Sequence, residues 1–138
     1  MLRTRVRTRQ QEIAMRAMGC IAERSLGKVD EERNREYVSF AKKFPALIHT
    51  CGLALAVAFA CAKSHKDYLE DLIKVMGFEE GASADNVETL QQKFMEKIVK
   101  ADVREYILLT QSTMEASLWL KRYAEAAEAD AEKDRGMQ

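Results

Sequence analysis

YVSFAKKFPALIHTCGLALAVAFACAK, residues 37–63, decides the fold. A mixed run with Tyr37, Phe40, Ala41 and Phe44 at helical spacing reaches the chain's single proline, Pro45, and the sequence then turns apolar. Proline suits a first helical turn, where its missing N–H is not needed, and it disfavours helix in the residue before it. The spacing therefore predicts a new helix from Pro45 to Lys63. At about 100° per residue, Ile48, Leu55 and Phe59 fall on one side of it and Leu53 and Val57 on the other. Gly52, Ala56 and Ala60 form a narrow seam between them. A helix apolar nearly all round must be covered all round, and small residues at four-residue spacing let a neighbour approach closely. The expected architecture is all-α, a compact bundle of five or six helices with this apolar helix at its centre, Leu55 and Phe59 among its core anchors.

The competing reading of the same segment is a membrane span flanked by Lys42, Lys43 and Lys63. His49, Thr50 and Gly52 interrupt it, its alanines are weakly hydrophobic, and every other segment is amphipathic. The start, MLRTRVRTRQQE, has no apolar core behind its arginines and does not read as a signal peptide.

A chain of 138 residues, 47% hydrophobic and 32% charged, with one proline and six glycines, is sized for one globular domain spanning 1–138. Residues 1–9 and 128–138 are candidate mobile ends. Formal net charge is zero, which argues against a free-standing nucleic-acid binder. The ends nevertheless differ in sign. Arg3, Arg5, Arg7, Arg9 and Arg16 face only Glu12 near the start, whereas Glu125, Glu128, Asp130, Glu132 and Asp134 outnumber Lys133 and Arg135 near the end. Cys20, Cys51 and Cys61 are odd in number, lack a CxxC pair and lie in apolar stretches. They read as reduced core thiols of a cytoplasmic protein.

Along the chain, a first helix is expected over Arg7 to Arg24, with Ile13, Ala14, Ala17, Cys20 and Ile21 buried. A second, capped by Asp30, runs to Lys43. After the central helix, Ser64 and Asp67 can open a fourth carrying Leu69, Leu72, Ile73 and Met76, and residues 77–84 give the longest loop signal. Asp85 and Glu88 have capping-box spacing ahead of Val87, Leu90, Phe94 and Ile98. Asp102 and Glu105 repeat that signal for a long last helix, REYILLTQSTMEASLWLKRYAEAAEADAEK. There Leu109, Thr113, Ala116, Leu120, Tyr123 and Ala127 make a narrow seam, and Val103, Ile107, Thr110, Met114 and Leu118 a second stripe. No repeat or strand-period segment occurs.

No catalytic or metal site assembles from these spacings. His49 and Cys51 diverge by roughly 200° on one helix, so His49, Cys51, Cys61 and His65 do not converge on a tetrahedral ion. Phosphate loops, serine elbows and HExxH are absent. Glu31 with Glu32 and Glu79 with Glu80 read as solvated charges. No cofactor or small-molecule substrate is implied. Basic clusters are the remaining candidates: Lys42 with Lys43, Lys121 with Arg122 after Trp119, Arg16, and Arg104, which lies eighteen residues before Arg122 on one helical face, about 27 Å away. Such groups can follow a phosphate backbone, although they also fit ordinary surface charge, and Trp119 fits a core anchor.

Two blocks carry a resemblance. YVSFAKKFPALIHTCGLALAVAFACAK is similar to a pattern of tyrosine, a Lys-x-Pro-like turn, an apolar pair, Gly-Leu and an Ala-Phe-x-x-Ala-Lys run. YILLTQSTMEASLWLKRYAEA, with its WLKRYAEA core, resembles a second block of the same family. In order and spacing they resemble the small helical subunit of the type III-B CRISPR effector, the Cmr complex. The resemblance implies a non-catalytic bundle in a cytoplasmic ribonucleoprotein. Several copies would stack along the paired guide and target RNA beside the other Cmr subunits, with Lys42, Lys43, Arg104, Lys121, Arg122 and Arg16 as RNA-binding candidates. Opposite-sign ends suit head-to-tail stacking, and a local basic strip suits sequence-independent phosphate contact. The alternative is a helical protein–protein adaptor with no RNA role.

Overall fold

The computed structural model describes residues 6–24, 31–62, 65–78 and 87–136. Within them the chain forms six helices and no strand: α1 (Arg9–Arg24), α2 (Glu31–Cys51), α3 (Leu53–Ala62), α4 (Lys66–Met76), α5 (Val87–Lys100) and α6 (Val103–Gly136). The all-α expectation holds, but the break falls elsewhere than Pro45. That proline lies inside α2, buried, and the helix continues six residues past it. The chain turns instead at Gly52, whose φ of +86° is a left-handed conformation open to glycine at little cost. Gly52 donates to the Ile48 carbonyl at 2.8 Å and accepts from Ala56 at 3.1 Å, so helical bonding passes through the corner. The Ala54 amide, left over at the start of α3, donates to the Tyr106 hydroxyl of α6 at 3.1 Å.

The apolar segment is therefore two helices in part, and it is not the most buried element. Leu53, Ala56, Val57 and Ala60 are fully buried, but Leu55 is 65% exposed and Phe59 42%. Cys51 is exposed at the corner, Cys61 half-buried and Cys20 buried, so only one of the three cysteines is a core residue. α4 occupies the centre, packing against α1, α2, α3, α5 and α6. Its Tyr68, Leu69, Leu72, Ile73 and Val75 are each 0% exposed. α4 ends at Gly77 (φ +77°), whose amide donates to Lys74, as left-handed caps do. The N-cap position is His65, which supplies no side-chain bond. The caps expected from Asp30, Ser64 and Asp85 lie outside the described residues.

α6 matches its sequence signal closely. The Asp102 carboxylate accepts from the Glu105 amide at 2.8 Å as an N-cap. Of its seam, Thr113, Ala116 and Leu120 are fully buried, and Leu109, Tyr123 and Ala127 pack partly against the core. The Thr113 hydroxyl donates to the Leu109 carbonyl at 2.7 Å and the Ser117 hydroxyl to Met114 at 2.7 Å, so these buried polar groups are satisfied within the helix. The second stripe is split: Val103 (77%), Ile107 (51%) and Leu118 (46%) are exposed, whereas Thr110 is half-buried and Met114 packs partly against the core.

One buried polar cluster locks α1, α2 and α4 together. Asp71, two residues after core Leu69 and next to core Leu72, is 4% exposed. It accepts two bonds from the Arg24 guanidinium, one of them Nη2 to Oδ1 at 3.0 Å, and one from the Tyr37 hydroxyl at 2.5 Å. Arg24 also donates to the Asp67 carbonyl at 2.9 Å and lies over the Tyr37 ring. Burial raises the Asp71 pKa above the ordinary carboxylate value, and its Arg24 and Tyr37 bonds offset only part of that rise. Burial works against charge on Arg24 as well, but the Asp71 bond outweighs it and holds the guanidinium protonated.

Candidate nucleic-acid interface

The six basic candidates do not converge on one patch. Adjacent residues on α2, Lys42 and Lys43 project about 100° apart. Lys42 pairs with Glu128 of α6 at 2.5 Å, and this hydrogen bond raises its pKa. Lys43 is exposed, turned away from that ion pair. Arg16 is engaged with the fold: its guanidinium reaches the Val75 carbonyl at 3.5 Å and Glu12 at 3.8 Å, and it lies so near Gly77 that a Cβ there would come within 2.7 Å of it. Arg16 thus holds the C-terminal end of α4, where a cation is favourable.

Arg104 and Arg122 are both exposed on the continuous α6, on one face about 27 Å apart. Lys121 is half-buried and shares a side of α6 with Glu128 two turns on, towards α2. Trp119 is half-buried, its ring stacked with that of Tyr123 at 5.8 Å. The outer face of α6 therefore carries two well-separated arginines among exposed Ile107, Leu108 and Leu118.

Residue spacing did not disclose a groove of about 690 Å³ on the outer side of α2, closed by Phe59 of α3 and by His65. Its floor is aromatic. The Phe40 ring lies nearly parallel to His65 (3.8 Å, 10°) and to Phe59 (6.3 Å, 7°). Arg35 and Lys43 line the same groove with Glu36. The sequence signal was present in Arg35, Ser39, Lys43, Ala46 and Thr50, an outward stripe at helical spacing, but it required α2 to run through Pro45.

Among the described residues, no three His, Cys, Asp or Glu side chains are grouped to hold a metal ion. No helix there is long and apolar enough to cross a membrane.

Comparison with known proteins gives a consistent result. Residues 9–127 match the model of the family described as CRISPR-associated protein (Cas_Cmr5). The CRISPR system Cmr subunit Cmr5 of Thermus thermophilus is 30% identical over 124 residues, covering 88% of this chain and 96% of that protein. The crystal structure of a CRISPR-associated Cmr5 family protein, also from Thermus thermophilus, superposes with a TM-score of 0.71 at 29% identity, over 88% of this chain and 98% of that one. Matched by the family model over most of its length, and by a relative over nearly all of that relative's, this chain belongs to the Cas_Cmr5 family of CRISPR-associated proteins.

Proposed function

We propose that this chain is a non-catalytic structural subunit of a type III-B Cmr ribonucleoprotein in the cytoplasm. Several copies stack beside the other Cmr subunits and line the guide and target RNA with basic side chains. Family membership supports the complex. The observation that carries the RNA contact is the outward placement of Arg104 and Arg122 on one face of an unbroken helix, with Lys43 exposed on α2. Two cations about 27 Å apart span several phosphates of one strand and carry no base preference of their own. Lys42 and Arg16, committed to Glu128 and to the end of α4, contribute less. With zero net charge each copy neutralises few phosphates, so affinity accumulates over stacked copies through effective concentration.

The exposed Val99, Val103, Ile107 and Leu108 near the start of α6 favour protein contact and keep the adaptor reading as the second one. Reversing Lys121 and Arg122 to Glu in a reconstituted complex separates the two. The expected result is weaker target-strand binding with a shallower salt dependence and intact assembly. Unchanged RNA binding combined with failed assembly would assign the pair to a protein interface.

A further inference from the structure

The groove between α2, Phe59 and His65 has a composition that phosphate contact alone does not require. We infer that it is a binding site for an unpaired RNA base, with a preference for cytosine over uracil. This rests on the RNA reading above and adds to it a place where the strand's bases, rather than its phosphates, are held.

Three observations meet there. First, Phe59 is 42% exposed although its ring lies parallel to Phe40, which in turn stacks on His65. A half-exposed ring ordered by rings behind it is a stacking platform, and aromatic platforms of this kind hold single-stranded bases. Second, Arg35 and Lys43 both line the groove, about 12 Å apart along the α2 axis and about 80° apart around it, so cations border it at two separate places. A purely apolar peptide would make no use of these charges, whereas the phosphates of a strand would. Third, a 690 Å³ groove accommodates a nucleotide, since small-ligand sites fall in the range of about 300–1,000 Å³.

Glu36 sets the preference. It lines the groove beside Phe40 and has no ion-pair partner among the described residues. A carboxylate repels phosphate but accepts from an exocyclic amino group. Cytosine offers such a group at the position where uracil presents a carbonyl. In an RNA duplex the base's face is covered by its stacked neighbours, and the deep, narrow major groove keeps a side chain from its amino group. The site therefore discriminates single strands from duplex, and cytosine from uracil.

The test uses the full chain and fluorescent oligocytidylate, oligouridylate and a duplex of the same length, followed by anisotropy at low salt. Oligocytidylate should bind several-fold more tightly than oligouridylate, and both more tightly than duplex. Phe59→Ala should weaken single-strand binding at least about fivefold, as loss of one base stack does, whereas Phe59→Tyr should retain it. Glu36→Gln should erase the difference between the two homopolymers while leaving Phe59 dependence in place. Circular dichroism checks that each half-exposed substitution leaves the fold intact. Equal affinity for all three probes, no detectable single-strand binding, or indifference to Phe59→Ala would each overturn the site. If Phe59→Ala instead impaired association with other Cmr subunits at unchanged RNA affinity, the groove would be a protein dock. The phosphate wall is read by different residues, Lys121 and Arg122, in the assembled complex, so it can stand when the groove falls.

Discussion

Removing one oxygen from either of two neighbouring tyrosines should move stability in opposite directions. Tyr37 and Tyr68 touch edge to face with ring centroids 5.7 Å apart, and both are buried. The Tyr37 hydroxyl donates to Asp71 at 2.5 Å. The Tyr68 hydroxyl has no hydrogen-bond partner among the described residues, its ring packed against Phe40 at 5.3 Å and Phe44 at 5.2 Å. Tyr37→Phe removes a bond to a charged acceptor that remains buried, and should destabilise by about 1.5–3 kcal/mol. Tyr68→Phe deletes a desolvated hydroxyl that gains nothing in the fold, and should be neutral or stabilising by about 1–2 kcal/mol. Urea denaturation of the two variants and the parent decides this, with equal m-values showing that the denatured state is unchanged. A loss of more than about 1 kcal/mol in Tyr68→Phe would refute the reasoning and imply a water or side chain bonded to that hydroxyl.

Leu72→Ala in the centre of α4 should cost about 2–5 kcal/mol, whereas Leu55→Ala, 65% exposed, should stay below about 1 kcal/mol; the reverse order in denaturant melts would place the apolar segment at the core after all. Stability should also fall in alkali. Burial pushes the Cys20 thiol from 9.0 to about 12 and holds Tyr37 and Tyr68 above their ordinary 10.0. Each folded value exceeds its unfolded one, so the protonated forms favour the fold below the unfolded values and that contribution is lost as pH rises through about 9–12. A denaturation midpoint unchanged between about pH 8 and pH 11 would contradict this, and Tyr68→Phe should flatten the fall.

Periodicity was enough to place most of the helices, because a buried stripe at three- and four-residue spacing is a local property of each segment. Asp102 and the Leu109 to Ala127 seam were readable for that reason. Two things were not local. Pro45 is tolerated because its ring is buried in a helix held by tertiary contacts, whereas Gly52 takes a conformation other residues adopt at a penalty. Hydrophobicity also says that a helix has apolar surface without saying which face finds a partner. The amphipathic α4 became the centre because the other five helices surround it, and Leu55 and Phe59 of the more apolar segment remained outside. The basic candidates divided in the same way: Lys42 is neutralised by Glu128, eighty-six residues away, a pairing that no spacing announces. The aromatic groove depended on a helix continuing where a break was expected.

The meeting of α1 with α6 has a consequence for biosynthesis. Arg9 on the first helix donates to Ser112 on the last, 103 residues later, and both α1 and α2 pack on α6. α6 leaves the ribosome after the other five helices, so until then the apolar sides of α1, α2 and α4 that it covers remain open to solvent and to other chains. Nascent chains arrested before residue 103 should engage holdase chaperones and be digested readily by protease, and both behaviours should end abruptly once α6 is released.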